Sequence, residues 1–595
     1  MRRRKVSNGL TVNVIAGTHV IFFGLDLTKA KRPGFRGFGF KRFEAATGET
    51  LWLRGMKTFK ETEPHPVKGE LFRSCDHPFQ SFQWSDYSVK PGQDYKYTVV
   101  AFYGKATDLK AKIEVEVEVT TELETGPTHS AFFNRGSVAT QEYARRFENK
   151  APSEAGVGAY EWLSRGLVEA LIAFIGRAKA GWELHAAVYE FQWAALFDPA
   201  AAADDDPEFE NLDVLKAIKA AVDRGATVKV IYDDIEKYQT NKKTGKKEPV
   251  GPWKKNRDAI AKAGIQAICA GRGNSSKIMH NKFFVLSKGG KPKAVYTGST
   301  NLTENGIFGH SNLGHIVEDE EVAQAFLDYW QRLAADPKVN KEYRATNAAA
   351  TKLPPVPWKN GTTAIFSPRG SETHPDALDW YATIAAGAKT GLFMTFAFGM
   401  NEKFKDVYRT DDEILRMALL EKEGNNPKTL EQDKKDIQAI RNRQNVVLAI
   451  GNRLKTNAFD RWLAEMDRLN PHVHVLWIHT KYMLVDPLSA TPIVASGSAN
   501  FSGASTYDND ENMLVIRGDK RIADIYFGEY IRLYAHYAFR EAVKWFVEKQ
   551  KAGTAEEWQP QFLIDNDKWM EPYFDPADRS ARCARREYFA GPMSV

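Results

Sequence analysis

The stretch that decides the reading is His280-Asn281-Lys282-Phe283-Phe284-Val285-Leu286, followed by Gly298-Ser299-Thr300-Asn301. It returns as His479-Thr480-Lys481-Tyr482-Met483-Leu484-Val485-Asp486, followed by Gly497-Ser498-Ala499-Asn500. In both places the histidine stands 18 residues before the glycine. On an extended strand, alternate residues face the same side, so each His-x-Lys pair presents an imidazole and an ammonium together. An imidazole nitrogen can attack phosphorus or pass a proton, and a lysine beside it can neutralise non-bridging oxygens. Ser299, Asn301, Ser498 and Asn500 offer further hydrogen bonds to those oxygens. Two such units brought together would hold a phosphoryl group in line between a nucleophile and an acid, an arrangement that needs no metal.

The copies belong to a longer repeat. Ser130–Ser137 is echoed by Thr363–Ser371, each leading through a helical stretch that ends in Ala-Lys-x-Gly at 178–181 and 388–391. Each then enters an apolar strand, Leu184–Phe191 or Leu392–Phe398. Val214–Val222 reads as a helix stopped at Arg224-Gly225 and Thr227–Tyr232 as a parallel strand, which the second half answers with Glu413–Leu420 and Val446–Ile450. Leu353-Pro354-Pro355-Val356-Pro357 separates the halves as a stiff linker.

At these residues the sequence resembles the phospholipase D superfamily, whose signature is two copies of H-x-K-x4-D, each followed by G-S-x-N. The resemblance covers residues 129–550. It implies a bilobal α/β fold of two duplicated lobes with mixed sheets, both motifs at one central site, and metal-independent phosphodiester cleavage through a phosphohistidine. The implied substrate is an anionic phosphodiester, a phospholipid head-group ester first and a nucleic acid as the alternative, with no cofactor. The copies depart from the pattern unequally. Asp486 matches the family aspartate, whereas the first copy has Ser287. Glu511, 32 residues after His479, stands where the family places an acidic partner for histidine; the same offset from His280 reaches Asn312, and a shifted alignment reaches Ser311. A carboxylate beside an imidazole favours its protonated form. The expectation is therefore that Glu511 backs His479 as general acid and that His280, oriented by a neutral group, is the nucleophile.

The rest of the chain sets the frame. It has 595 residues, 43% hydrophobic and 27% charged, and a net charge of +6, a balance that excludes a largely disordered or collagen-like chain. Cys75, Cys269 and Cys583 form no metal-ligand spacing and no disulfide framework, and a cytoplasmic address is expected. No apolar run is long enough to span a bilayer, so any membrane contact expected is peripheral. Residues 1–125 read as a β-sandwich of fibronectin III or immunoglobulin type, from alternations such as Ile113–Val119 and a turn at Ala46–Glu49. The expected domains are thus 1–125, a first lobe at 129–352, a second at 358–550, and a tail at 551–595 packed on the body. With both motifs in one chain, a monomer suffices. The loop Lys237–Arg257, with Lys242, Lys243, Lys246, Lys247 and Trp253, reads either as a substrate-tracking surface or as a solvated charge run. Tyr189 and Phe191 read mainly as core, His310 and His315 as structural.

Overall fold

The computed structural model describes residues 1–67, 70–148, 150–193, 212–241, 244–371, 373–374, 376–424, 426–451, 478–551, 561–578 and 580–595. Lys242, Lys243 and the acidic run 204–206 lie outside the described residues.

The N-terminal region folds as two four-stranded antiparallel sheets. One runs Arg2–Ser7, Leu10–Ala16, Ile21–Leu27, Gln83–Asp86; the other Asp108–Thr120, Asp94–Lys105, Phe35–Glu44, Glu49–Trp52. Ile113, Val115, Val117 and Val119 are buried and the glutamates between them exposed, the period-two pattern of a strand with one wet face. The rings of Phe23, Phe40 and Tyr97 pack between the sheets, and Trp569 and Tyr573 of the C-terminal segment close this core.

Two seven-stranded mixed sheets follow, with one topology. The first has the order His129–Phe133, Leu313–Val317, Lys291–Gly298, Lys282–Lys288, Trp182–Val188, Thr227–Asp233, Cys269–Arg272. The second has the order Gly361–Ser367, Glu511–Arg517, Ile493–Gly497, Tyr482–Val485, Gly391–Phe396, Leu415–Leu420, Val446–Ile450. In each, the first four pairings are antiparallel and the last two parallel. Fully buried runs such as Lys282–Ser287 and Tyr482–Val485 occupy the centres, as strands covered on both faces must. The repeat therefore needs one realignment. Leu415–Leu420 is a strand matching Thr227–Asp233, and Glu402–Arg409 is the helix that precedes it. Val446–Ile450 matches Cys269–Arg272.

The lobes share a core. Phe283, Phe326 and Tyr329 of the first pack with Phe366 and Leu514 of the second, Tyr329 stacking on Phe366 at 4.4 Å between ring centroids. Backbone bridges join Met279 to Asp510 and Ser311 to Ile478, so the residue before each motif histidine is tied to the opposite lobe. Helix Lys520–Lys551 packs against both lobes and the β domain. Phe589 of the last helix meets Phe22 and Phe527.

Candidate active site

Each His-x-Lys unit lies at the entry to a central strand. The amide of Met279 donates to the Asp233 carboxylate at 2.7 Å, and that of Ile478 to Glu421 at 2.8 Å, so both approaches are held by an acidic residue at the same topological place. The amide of His280 donates to the Asp510 carbonyl and that of His479 to the Ser311 carbonyl, which brings the motifs face to face. The imidazole centroids of His280 and His479 lie 6.4 Å apart, and the two residues are 5% and 7% exposed. The ammoniums are buried with them: Lys282 Nζ donates to the His280 carbonyl at 2.7 Å and Lys481 Nζ to the His479 carbonyl at 2.6 Å.

The glycine of each G-S-x-N element is there for close approach. A Cβ at Gly298 would collide with the Leu313 carbonyl oxygen, and one at Gly497 with that of Asn512. The serines that follow bond to the histidine partners and to the segments that carry them. Ser299 Oγ accepts the Leu313 amide and donates to Asn312 Oδ1, and Ser498 Oγ accepts the Asn512 amide. They hold the segment carrying each histidine's partner. Asn301 Nδ2 donates to Glu190 at 2.6 Å, and the side-chain oxygens of Asn301 and Asn500 have no hydrogen-bond partner among the described residues.

The histidine partners are crossed between lobes. His280 Nδ1 lies 2.9 Å from Glu511 Oε2, and His479 Nδ1 lies 2.9 Å from Asn312 Oδ1. The expectation that Glu511 backs His479 is overturned, because the strand ends carrying Glu511 and Asn312 each reach across the lobe boundary. Asn312 Nδ2 donates to the Gly306 carbonyl, so its Oδ1 faces His479 and must accept the Nδ1 proton. Glu511, ionised, can only accept from His280. Both neutral rings thus turn an unprotonated Nε2 away from these partners.

Asp486 is also elsewhere. At the far end of its strand with φ 48°, it accepts hydrogen bonds from the amides of Lys389, Thr390 and Gly391, pinning a turn rather than touching either histidine. Its counterpart Ser287 is buried, and its hydroxyl has no partner among the described residues. Trp253 is buried at the start of helix Trp253–Lys262, with Arg257 over its ring at 5.1 Å, and offers no face to a ligand. Lys246 and Lys247 are exposed at the hairpin Lys237–Thr240/Lys247–Val250, and neither bonds to the histidine–lysine cluster.

Four residues join that the motifs do not name. The ring of Tyr189 packs on His280 at 4.9 Å and lies 5.2 Å from Lys282 Nζ. Glu190 is a half-buried carboxylate whose neighbours include Lys282 and Lys255. His310 packs on His479 at 5.8 Å, and Asn312 sets that ring's orientation. Tyr189 and Glu190 directly follow the strand Trp182–Val188, a position the sequence marks only as aromatic.

Burial dominates the electrostatics. It pushes His280 down to about 4 against the pull of Glu511, and Lys282 down to about 7 against Glu511 and Glu190. His479 and Lys481 are held well below their ordinary values by burial and then by neighbouring cations. Burial would raise the Glu511 carboxyl, but His280 and Lys282 outweigh it and keep it below the usual carboxylate range. Burial thus favours the neutral forms of both histidines and both lysines. Among the described residues, the one carboxylate group close enough to share a cation is Glu402, Asp433 and Asp436, and the buried Lys405 ammonium already sits among them.

Residues 206–334 match the family described as "Cardiolipin synthase, PLD-like domain". No curated protein matches the chain in sequence. Among solved structures, phosphatidylserine synthase from Haemophilus influenzae is 11% identical, covering 62% of this chain and 84% of that one, with a TM-score of 0.40. Nuc from Salmonella typhimurium, a phospholipase D family member, is 23% identical over 28% of this chain and 86% of that one, with a TM-score of 0.19. Polyphosphate kinase from Porphyromonas gingivalis is 9% identical over 60% of this chain, with a TM-score of 0.33, and this chain spans 46% of its length. The family match contains His280, Lys282 and the first G-S-x-N element, so residues 206–334 are a PLD-like domain, and the second copy faces it on the same strand order.

Proposed function

We propose that the protein is a phosphodiesterase working through a covalent phosphohistidine, with His280 as nucleophile and His479 as general acid and base. The observation that carries the reading is the pair of buried imidazoles 6.4 Å apart, each with its own lysine. A diester monoanion entering between them meets Lys282 and Lys481, and its charge raises the affinity of both lysines and of His479 for protons. His280 Nε2 attacks phosphorus. The bond from phosphorus to the leaving oxygen breaks, and that oxygen takes the proton from His479 Nε2. Water, or an alcohol, then gives a proton to His479 and attacks phosphorus, the phosphorus–nitrogen bond breaks, and its electron pair returns to His280.

Glu511 is the reason for assigning His280 as nucleophile. Phosphorylating Nε2 while Nδ1 keeps its proton leaves a cationic ring, and a carboxylate at Nδ1 stabilises that charge where a neutral amide does less. This inverts the sequence argument, which placed the carboxylate behind the acid. The substrate we favour is a phospholipid head-group ester, supported by the lipid chemistry in the matching family's description. Hydrolysis of bis(p-nitrophenyl) phosphate in EDTA, abolished by His280→Asn, tests the reaction. Release of head group from vesicles, set against nicking of plasmid DNA, tests the substrate. A chain that hydrolyses neither the generic diester nor a lipid under these conditions would overturn the proposal.

A further inference from the structure

Between the β domain, the segment around Arg135–Trp162 and helix Lys520–Lys551 lies a cleft of about 1950 Å³ that contains none of the motif residues. Its described lining includes twelve lysines and arginines and two carboxylates, Asp86 and Glu142. At its floor Arg165 and Arg532 share the single carboxylate of Glu529. Arg135 stands beside them, stacked on Trp162 at 4.7 Å and bonded to the Trp162 carbonyl, with no carboxylate of its own among the described residues. Burial and the neighbouring guanidiniums pull the Arg135 side chain down to about 9, so this floor is short of negative charge. The lip is apolar. Leu51, Met56, Leu71, Tyr87 and Phe539 are all among the protein's exposed large hydrophobic residues, and all line this cleft.

We propose that this cleft binds an anionic phospholipid, its phosphate on the arginine floor and its acyl chains against the apolar lip. Charge complementarity names the head, and the exposed aliphatic side chains name the tail. A nucleic-acid strand would stack its bases on aromatic faces, whereas the exposed rings here, Tyr87 and Phe539, are outnumbered by the aliphatic Leu51, Met56 and Leu71. Two of the cleft's tryptophans are already covered, Trp84 stacking on Phe40 at 4.4 Å and Trp162 lying under Arg135 and Arg146. The floor also touches the wall behind the candidate active site. Arg532 donates to the Asn134 carbonyl, and Asn134 Nδ2 donates to the carbonyl of His310, whose ring packs on His479. A lipid held there docks the catalytic body at a bilayer.

The test uses the full chain carrying His280→Asn, so that no lipid turns over, sedimented with phosphatidylcholine vesicles with and without phosphatidylglycerol. Phosphatidylglycerol should tighten binding by at least about tenfold, in a salt-sensitive manner. Leu51→Asp with Phe539→Asp, and separately Arg54→Glu with Arg146→Glu, should each remove most of that gain. All four positions are exposed, and in the otherwise native chain both double variants should keep full hydrolysis of bis(p-nitrophenyl) phosphate, which verifies their fold. Equal vesicle binding by parent and variants would overturn the proposal. So would tight binding of single-stranded DNA by the parent that the same substitutions abolish. Because binding is read in a chain that cannot turn over, this result stands or falls apart from the phosphodiesterase reading.

Discussion

The two lobes share a strand order, a motif and a spacing, yet their histidines have different partners. His280 faces the carboxylate of Glu511, and His479 faces the amide of Asn312. Each partner lies 32 residues after the other lobe's histidine, so one near-twofold arrangement delivers an acid to one ring and a neutral group to its twin. A duplicated unit can thus divide a reaction into two unlike roles without changing its fold. The difference rests on one side chain per lobe.

The sharpest way to break this comparison is to exchange the roles. His280→Asn should lower turnover of a generic diester by about 10⁴-fold or more, and a quenched reaction of the native chain should place the phosphoryl label on His280. A label on His479 would reverse the assignment. Next, Glu511→Gln should cost up to about 10⁴-fold in kcat by analogy with carboxylates that orient catalytic histidines, while Asn312→Ala should cost far less. Equal losses would mean that the carboxylate has no special part.

The pH profile sharpens the same contrast. A nucleophilic His280 must be unprotonated and Lys282 charged, so kcat/KM should fall below about 4 and above about 7. Glu511 raises His280, so Glu511→Gln should move the acid limb lower still. Lys282→Arg, which keeps its charge, should move the alkaline limb up. Stability carries its own signature. An unfolded histidine takes up its proton near 6.5 and folded His280 and His310 only near 4, so their contribution is intact above 6.5 and lost as pH falls toward 4. Asp233, raised by burial to about 7, acts in the opposite sense, its contribution fading as pH rises from its ordinary value of about 4 to about 7. Asp233→Asn should therefore steepen the loss of stability on acidification, measured by denaturant titration across that range.

The smallest expected effect belongs to Asp486. Asp486→Ala should change kcat by less than about threefold and reduce stability by about 1–3 kcal/mol, since three backbone amides lose their acceptor. A loss of activity as large as that of Glu511→Gln would return Asp486 to the chemistry. The hydroxyl of Ser287, its counterpart, has no hydrogen-bond partner among the described residues, yet the first copy still forms its strand.

Much of this was legible along the chain. Apolar runs after each His-x-Lys placed two central strands, and the equal 18-residue spacing implied equal sheets. The β region announced itself in the alternation of Val115 and Val117 with Glu116 and Glu118. Glu413–Leu420 was harder, because a short apolar run after a charged residue suits a helix end as well as a buried strand. Ser299 and Ser498 resemble phosphate ligands until the sheet shows their hydroxyls satisfied by the neighbouring strand. Tyr189 and Glu190 carry no motif, since what brings them to His280 is the antiparallel pairing of Trp182–Val188 with Lys282–Lys288, two segments distant in sequence.

What the sequence determined by itself was the inventory: two lobes, two imidazoles, two lysines, and an acid at one of two equivalent positions. Covalent spacing and side-chain alternation are local properties, and they are written in residue order. Which histidine receives the acid was decided only in three dimensions. The bridges Met279–Asp510 and Ser311–Ile478 pass each partner across the lobe boundary, and backbone pairing between distant segments leaves no periodic trace in either one.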